Sequence, residues 1–464
     1  VQDATVEHRR PLERLEGTLV RRALAANDPS VWPYVEQLRY VLSFSRLTAV
    51  RNPDGQDIHL QGPLSAHAGI VREALAHRLA SGVPLREAVR AAQPLVDRTR
   101  RTRASVLEHM QVSRDALEDE ITTRQLVVAS GGGGGAGYVY PGAYDMLDRD
   151  GFEPSLLVGT SIGALMGMFR ARRRHFDLAA LVAAARALSW GNIFRVLETE
   201  SRYGLPATLR LYLRNALGAL FKVGDRSMWL SDTELPLYVV VTGLTVDALK
   251  HDLNYYETLI ADDIRTTRTM RARSGVKAMA LLREFLSNRN ALREIVLGRD
   301  AGTEHFDVLD AAGFSAAIPG AIHYDVIRDD PRMRHILDTL YATQGITRLG
   351  EGGMVSNVPA RIGWEAATSG SLNGKRNVFV VALDCFAPSP KRIAWFPFQQ
   401  AVKQANVLSD RQFADLYVAF PKTLSPLNLV PKLPDAMRAI RWGRETMDAH
   451  MPFVRAMMAP IPVL

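Results

Sequence analysis

The chain has little cysteine: Cys385 is the one thiol in 464 residues, so no internal disulfide is available and no thiolate cluster can hold a metal. Its histidines fall in no His-Glu-x-x-His or comparable spacing, which removes the other common route to a metal site. Neither a metal nor a cofactor is expected. Apolar runs long enough to cross a bilayer as a helix are missing, as is a recognisable secretory leader, and a cytoplasmic protein is the expectation. There is no lysine before Lys222, and the Gly-rich stretch 131–137 runs into Tyr138, which rules out the Gly-Lys-Ser/Thr of a Walker loop. Zinc-finger spacing and aromatic-interleaved basic grooves are also lacking, so no nucleic-acid partner is expected.

What is present has ordinary globular composition, 47% hydrophobic and 23% charged, in a chain long enough for two or three units. The net charge of +8 is carried almost entirely by arginine and suits an anionic lipid surface, which leaves peripheral membrane contact open. The densest cluster is Arg170-x-Arg172-Arg173-Arg174-His175. It follows a predicted helix, where cations are favoured by the dipole, so a structural role is the first reading and lipid head groups the second.

Two Gly-rich turns carry the chemistry. The buried-strand pattern Gln125–Ser130 leads into Gly131-Gly132-Gly133-Gly134-Gly135-Ala136-Gly137, where converging main-chain N–H groups suit a phosphate or the oxyanion of an acyl-transfer intermediate. A dinucleotide fingerprint fits poorly here, because the third glycine is missing. Downstream, the apolar run Ser155–Val158 meets Gly159-Thr160-Ser161-Ile162-Gly163 and then a small apolar helix. That is strand, tight turn, helix, with Ser161 exposed as a nucleophile and Gly159 and Gly163 allowing close approach. Much later comes Gly350-Glu351-Gly352-Gly353, with Asn357 and Pro359 behind it, preceded by Ala311-Ala312-Gly313-Phe314-Ser315-Ala316-Ala317-Ile318-Pro319.

In this order and spacing the motifs, across about residues 120–390, resemble the patatin-like phospholipase family. The resemblance implies a three-layer α/β/α fold with a mostly parallel sheet and a lipid ester as substrate. Its catalytic pair would be a serine and an acid without histidine. Ser161 would be the nucleophile, Glu351 the general base at the family's Asp position, and Gly133, Gly134 and Gly135 the oxyanion donors; Gly159, Gly163, Gly352 and Gly353 would shape the turns. Two departures stand out: Glu351 is one methylene longer than aspartate, and Ala136 replaces a basic residue. A catalytically impaired lipid-binding or scaffold protein is the alternative they raise. A second alternative is an α/β-hydrolase triad of Ser161, Asp384 at the end of the strand Asn377–Leu383, and His450 on a terminal helix.

The sequence divides into a helical N-terminal domain over 1–119, a catalytic domain over 120–430 and a helical tail over 431–464. Within the first, helices are predicted at Val31–Phe44, Ser65–Ala80, Leu85–Leu95 and Arg103–Glu118. Ile70, Val71, Ala74, Leu75 and Leu79 share the apolar face of the second. A long helical insert is read over Ala179–Trp229, suited to the wall or lid of an acyl pocket. Further strands are expected at Leu237–Thr242 and Leu416–Phe420, and Trp395, Phe396, Phe398 and Trp442 are candidate lipid-facing aromatics.

Overall fold

A computed structural model describes residues 2–80, 83–196, 201–245, 292–326, 328–386 and 410–464. Trp395, Phe396 and Phe398 lie outside these residues. Seven strands form the central sheet: β1 (Gln125–Ser130), β2 (Leu156–Thr160), β3 (Leu237–Leu244), β4 (Leu292–Leu297), β5 (Arg348–Gly350), β6 (Val378–Asp384) and β7 (Leu416–Ala419). Their order is β4-β3-β2-β1-β6-β7, with β5 also paired to β3. The five strands from β3 through β7 in that order are parallel, while β4 and β5 run antiparallel to β3.

The near-continuous Val/Leu/Ala runs of β1, β2 and β6 follow from burial on both faces. Alternation assigns the faces. Leu126, Val128 and Leu157 enter a core with helices α7 (Tyr140–Arg149) and α8 (Ile162–Ala171); Val127, Ala129, Leu156 and Val158 enter another under the helix Ala360–Thr368, which contributes Trp364. This is the expected three-layer α/β/α arrangement with a mostly parallel sheet.

The penultimate helix, Leu433–Asp448, is bedded in the first of these layers. A Cβ on Gly443 would fall 1.9 Å from the Val139 carbonyl oxygen, and one on Gly142 would fall 2.1 Å from that of Ile440, so paired glycines allow the helices to cross in backbone contact. Trp442 packs against the core beside them. No helix among the described residues is long and apolar enough to cross a membrane.

The N-terminal region is helical as expected, with differences. A hairpin joins Ala49–Arg51 to Asp57–His59. In the helix Gln61–Arg78 the buried face is carried by Leu64, His67, Ala68, Val71 and Leu75, and Ile70 turns outward at 39% exposure. The insert after α8 is only partly helical: Ala207–Leu211 is a strand, parallel to Gly320–His323 and antiparallel to Phe194–Val196. Leu209, Leu211 and Leu213 alternate with a period of two, and the flanking strands supply the edges that favour it over a helix.

The first helix, Gln2–Ala26, has no counterpart among the predicted helices, and its buried face explains why. Arg9, Arg10, Glu13 and Glu16 are all at most 5% exposed. Glu13 accepts from Arg9 Nε at 3.1 Å, Arg10 Nη1 at 2.5 Å and the indole N–H of Trp364 at 3.0 Å. Arg10 also reaches Asp415 at 2.9 Å, at the start of β7. Glu16 accepts from Arg39 at 3.1 Å, Arg46 at 2.6 Å and Arg124. The seam therefore ties the helical region to the sheet by charge where a stripe of leucines would usually serve.

The arginines around Glu16 hold its carboxyl well below its ordinary value of 4.5, although burial opposes them. Its stabilisation is therefore complete above that value and is lost as pH falls through it toward the lower folded value. Replacing it strands three cations, and Glu16→Ala is expected to cost about 3 to 5 kcal/mol in urea unfolding at pH 7, with a smaller difference from wild type at pH 3. An unchanged midpoint would contradict the role given to the seam.

Candidate active site

Strand β2 ends at Thr160 and α8 begins at Ile162, so the reversal between them falls on Ser161. Its backbone lies at φ 55° and ψ −123°, a conformation that L-residues rarely adopt. Close backbone approaches allow it: a Cβ on Gly163 would fall 2.0 Å from the Ser130 carbonyl oxygen, and one on Gly159 would fall 2.6 Å from the Ala164 backbone. Ser315 holds the turn from the other side. Its Oγ accepts the Ser161 N–H at 2.8 Å and donates to the Val240 carbonyl at 2.6 Å, so β3 carries the Ser161 turn through one hydroxyl.

Strand β3 also delivers the acid. Thr160 on β2 is in register with Val240, whereas Gly350 on β5, running the opposite way, is in register with Thr242. The ends of β2 and β5 thus meet along one edge of β3, and the next residue of each chain is Ser161 and Glu351. The Glu351 N–H donates to the Ala317 carbonyl at 3.0 Å, and its own carbonyl accepts from Thr242 Oγ1 at 2.7 Å. Gly352 must be glycine here, since a Cβ would lie 2.2 Å from the Val240 oxygen.

The Glu351 carboxyl is pushed up to about 7 by loss of water around it, against the opposing pull of the Ser161 hydroxyl and the Gly353 N–H. Gly132 fills the space between these groups: a Cβ there would sit 2.8 Å from Asn357 Oδ1, 3.3 Å from Ser161 Cβ and 3.5 Å from Glu351 Oε1.

The Gly-rich loop is pinned at both ends and open in the middle. Gly131 N–H donates to Leu383, Gly132 N–H to the Asn357 carbonyl and Gly135 N–H to Pro426, at 3.0, 3.0 and 2.9 Å. Tyr140 adds a hydroxyl donated to the Gly131 carbonyl at 2.9 Å. The N–H groups of Gly133 and Gly134 meet no backbone acceptor among the described residues, and Gly134 is in the left-handed region at φ 56°. The expected set of three donors is thereby reduced: Gly135 is committed to the segment packed over the loop. A Cβ on Gly135 would fall 2.3 Å from the Asn428 oxygen of that segment. Ala136, where a basic residue was anticipated by resemblance, is fully buried.

Ser161 and Gly134 stand at one side of a pocket whose remaining lining is nearly all apolar. Helix α8 supplies one wall, the Leu429–Val430 segment another, and the insert a third through Leu188, Phe194 and Leu213. The insert therefore serves as a wall even where its secondary structure differs from expectation.

Asp384 and His450 are not brought to Ser161. The Asp384 carboxylate accepts the Phe386 N–H at 2.8 Å and the Tyr417 hydroxyl, while the charge felt by His450 is that of Arg21 on the first helix. In the arginine cluster at the end of α8, Arg170 donates to the Arg173 and Arg174 carbonyls at 2.9 and 2.8 Å, and Glu234 takes Arg173 at 2.6 Å. Ser315, Thr242 and Asn357 are the supporting residues whose roles the sequence did not reveal. Ser315 and Asn357 lie inside quoted motifs, but Thr242 is the ordinary last polar residue of a strand.

A model of the patatin-like phospholipase family matches residues 127–364, just over half the chain, from within β1 to Trp364. No curated protein matches the chain significantly. The matched span contains the Gly-rich loop, the Ser161 turn, Ser315 and the Glu351 turn in sequence. The chain belongs to the patatin-like phospholipase family, whose members generally hydrolyse lipid esters.

Proposed function

We propose that the protein is a serine acyl hydrolase that cleaves carboxylic esters of lipids through a Ser161–Glu351 dyad. The observation that carries this reading is the meeting of a strained serine and a buried, weakly acidic carboxyl at the wall of an apolar pocket. Glu351 takes the hydroxyl proton as Ser161 Oγ attacks the ester carbonyl. The N–H groups of Gly133 and Gly134 receive the oxyanion, at roughly 3 to 4 kcal/mol for a well-placed donor. The tetrahedral intermediate collapses as protonated Glu351 returns the proton to the leaving alcohol. Water, deprotonated by the same carboxylate, then attacks the acyl-serine, and Ser161 is regenerated with release of the free acid.

The unusual acidity of Glu351 suits this work. A carboxylate at its ordinary value is a feeble base, whereas one near 7 balances availability against proton affinity at neutral pH. With p-nitrophenyl butyrate or octanoate, Ser161→Ala is expected to abolish turnover above background. Glu351→Gln should lower kcat by about a thousandfold, and Glu351→Asp should keep it within about tenfold. Equal turnover by wild type and Ser161→Ala would contradict the proposal.

The same titration sets a pH profile. Only the carboxylate form accepts the proton, so kcat/KM should rise with pH and level off above about 7, the value to which Glu351 is pushed up. A rate that is flat from pH 5 to 9 would separate the base from Glu351.

There is a cost in stability. Because the folded carboxyl is raised from 4.5 to about 7, folding is most favoured below 4.5 and is weakened as pH rises through the folded value. The loss by pH 8 is about 3 kcal/mol at most. Glu351→Gln should accordingly melt higher than wild type at pH 8, with the difference shrinking at pH 5. A difference that does not change with pH would assign the strain elsewhere.

A further inference from the structure

The apolar pocket has a direction. Its contacts on α8 are Ile162, Leu165, Met166, Met168 and Phe169; all but Met168 have the spacing of one helical face, and that face begins beside Ser161. The cavity therefore runs along the helix from Ser161 to Phe169. Beyond Phe169 the helix continues to Ala171, but neither Arg170 nor Ala171 lines the cavity. Phe221, 1% exposed and also outside the lining, stands behind the Phe169 ring in an edge-to-face contact at 5.2 Å and 82°. Phe169 is thus a braced end wall, held by a second ring that cannot yield without disturbing the core.

Resting on the hydrolase reading above, we propose that Phe169 is the floor of the acyl site and limits the preferred substrate to esters of about eight to ten carbons in the acyl chain. The length follows from geometry. Eight residues of helix separate Ser161 from Phe169, about 12 Å at 1.5 Å per residue. Helical side chains lean toward the N-terminus, so the ring shortens this by roughly one residue's rise. An extended chain of single bonds covers about 1.2 Å per bond, as the polypeptide backbone itself does, and the slot accordingly holds close to nine bonds. Phe169 acts on which chain fits, by position and bulk, and takes no part in proton transfer.

The test is the chain-length profile of kcat/KM over p-nitrophenyl esters from butyrate to palmitate. Wild type should peak near octanoate to decanoate and lose about tenfold by myristate, and Phe169→Ala should raise the myristate-to-octanoate ratio by about tenfold. Phe169→Leu keeps the core better filled and should move the optimum in the same direction by less. Binding of free fatty acids to Ser161→Ala, read as thermal stabilisation, should show the same optimum, and adding Phe169→Leu should shift it. If esters are cleaved but the optimum stays where it is in both Phe169 variants, or if wild type prefers palmitate, the end-wall assignment is overturned and the hydrolase reading stands. If no ester of any length is cleaved and no fatty acid is bound, both fall.

Discussion

The geometry of the candidate site depends on one strand. Along a single edge of β3, β2 arrives from one direction and β5 from the other, and their ends leave a gap of about one residue into which Ser161 and Glu351 turn. The Val240 carbonyl anchors Ser315, and through it the Ser161 N–H; Thr242 holds the Glu351 carbonyl. Because ladder hydrogen bonds fix both registers, the distance between two groups far apart in sequence is set by backbone pairing, and flexible side chains have little to decide. The Gly-rich loop joins the same frame through Asn357, whose carbonyl holds Gly132.

Such a frame leaves unfavourable groups in place. Ser161 is held in a disfavoured backbone conformation and Glu351 is held where its charge is poorly solvated. Strain of this kind persists only where the surroundings over-determine it. Here the over-determination comes from buried strands, backbone contacts at glycine, and the charged seam of Glu13 and Glu16 that fastens the N-terminal helices to the far layer. The polar contrast is instructive: Glu16 is surrounded by arginines and strongly acidic, whereas Glu351 faces a hydroxyl and an amide and is weakly acidic. One glutamate is suited to structure and the other to accepting a proton.

Much of this was legible in the sequence. Apolar runs before Gly131, before Gly159 and around Val378–Leu383 mark the buried strands, and the glycines that flank Ser161 mark the turn because no side chain fits there. The Glu351 turn was recognisable from its glycines and following Asn and Pro. Its pairing with Ser161 follows from the resemblance alone, since the geometry depends on β5 pairing antiparallel to β3, a register that no local pattern encodes. The first helix was hidden because Arg9, Arg10, Glu13 and Glu16 share its buried surface with Leu12, Leu19, Val20 and Ala23 and interrupt the apolar pattern, with Pro11 inside it. Gly135 read as an oxyanion donor until the segment bearing Pro426, remote in sequence, took its N–H. In the insert, alternating leucines fit a strand as well as a helix, and only neighbouring strands decide between them.

The central claim is that Ser161 is an activated nucleophile rather than a buried turn serine. Intact-mass and peptide mass spectrometry after treatment with a fluorophosphonate tests it directly. The account predicts a single covalent phosphonyl adduct on the peptide bearing Ser161, formed more slowly in Glu351→Gln and absent in Ser161→Ala. A folded wild-type protein that stays unmodified, or that is modified at another residue, would contradict it.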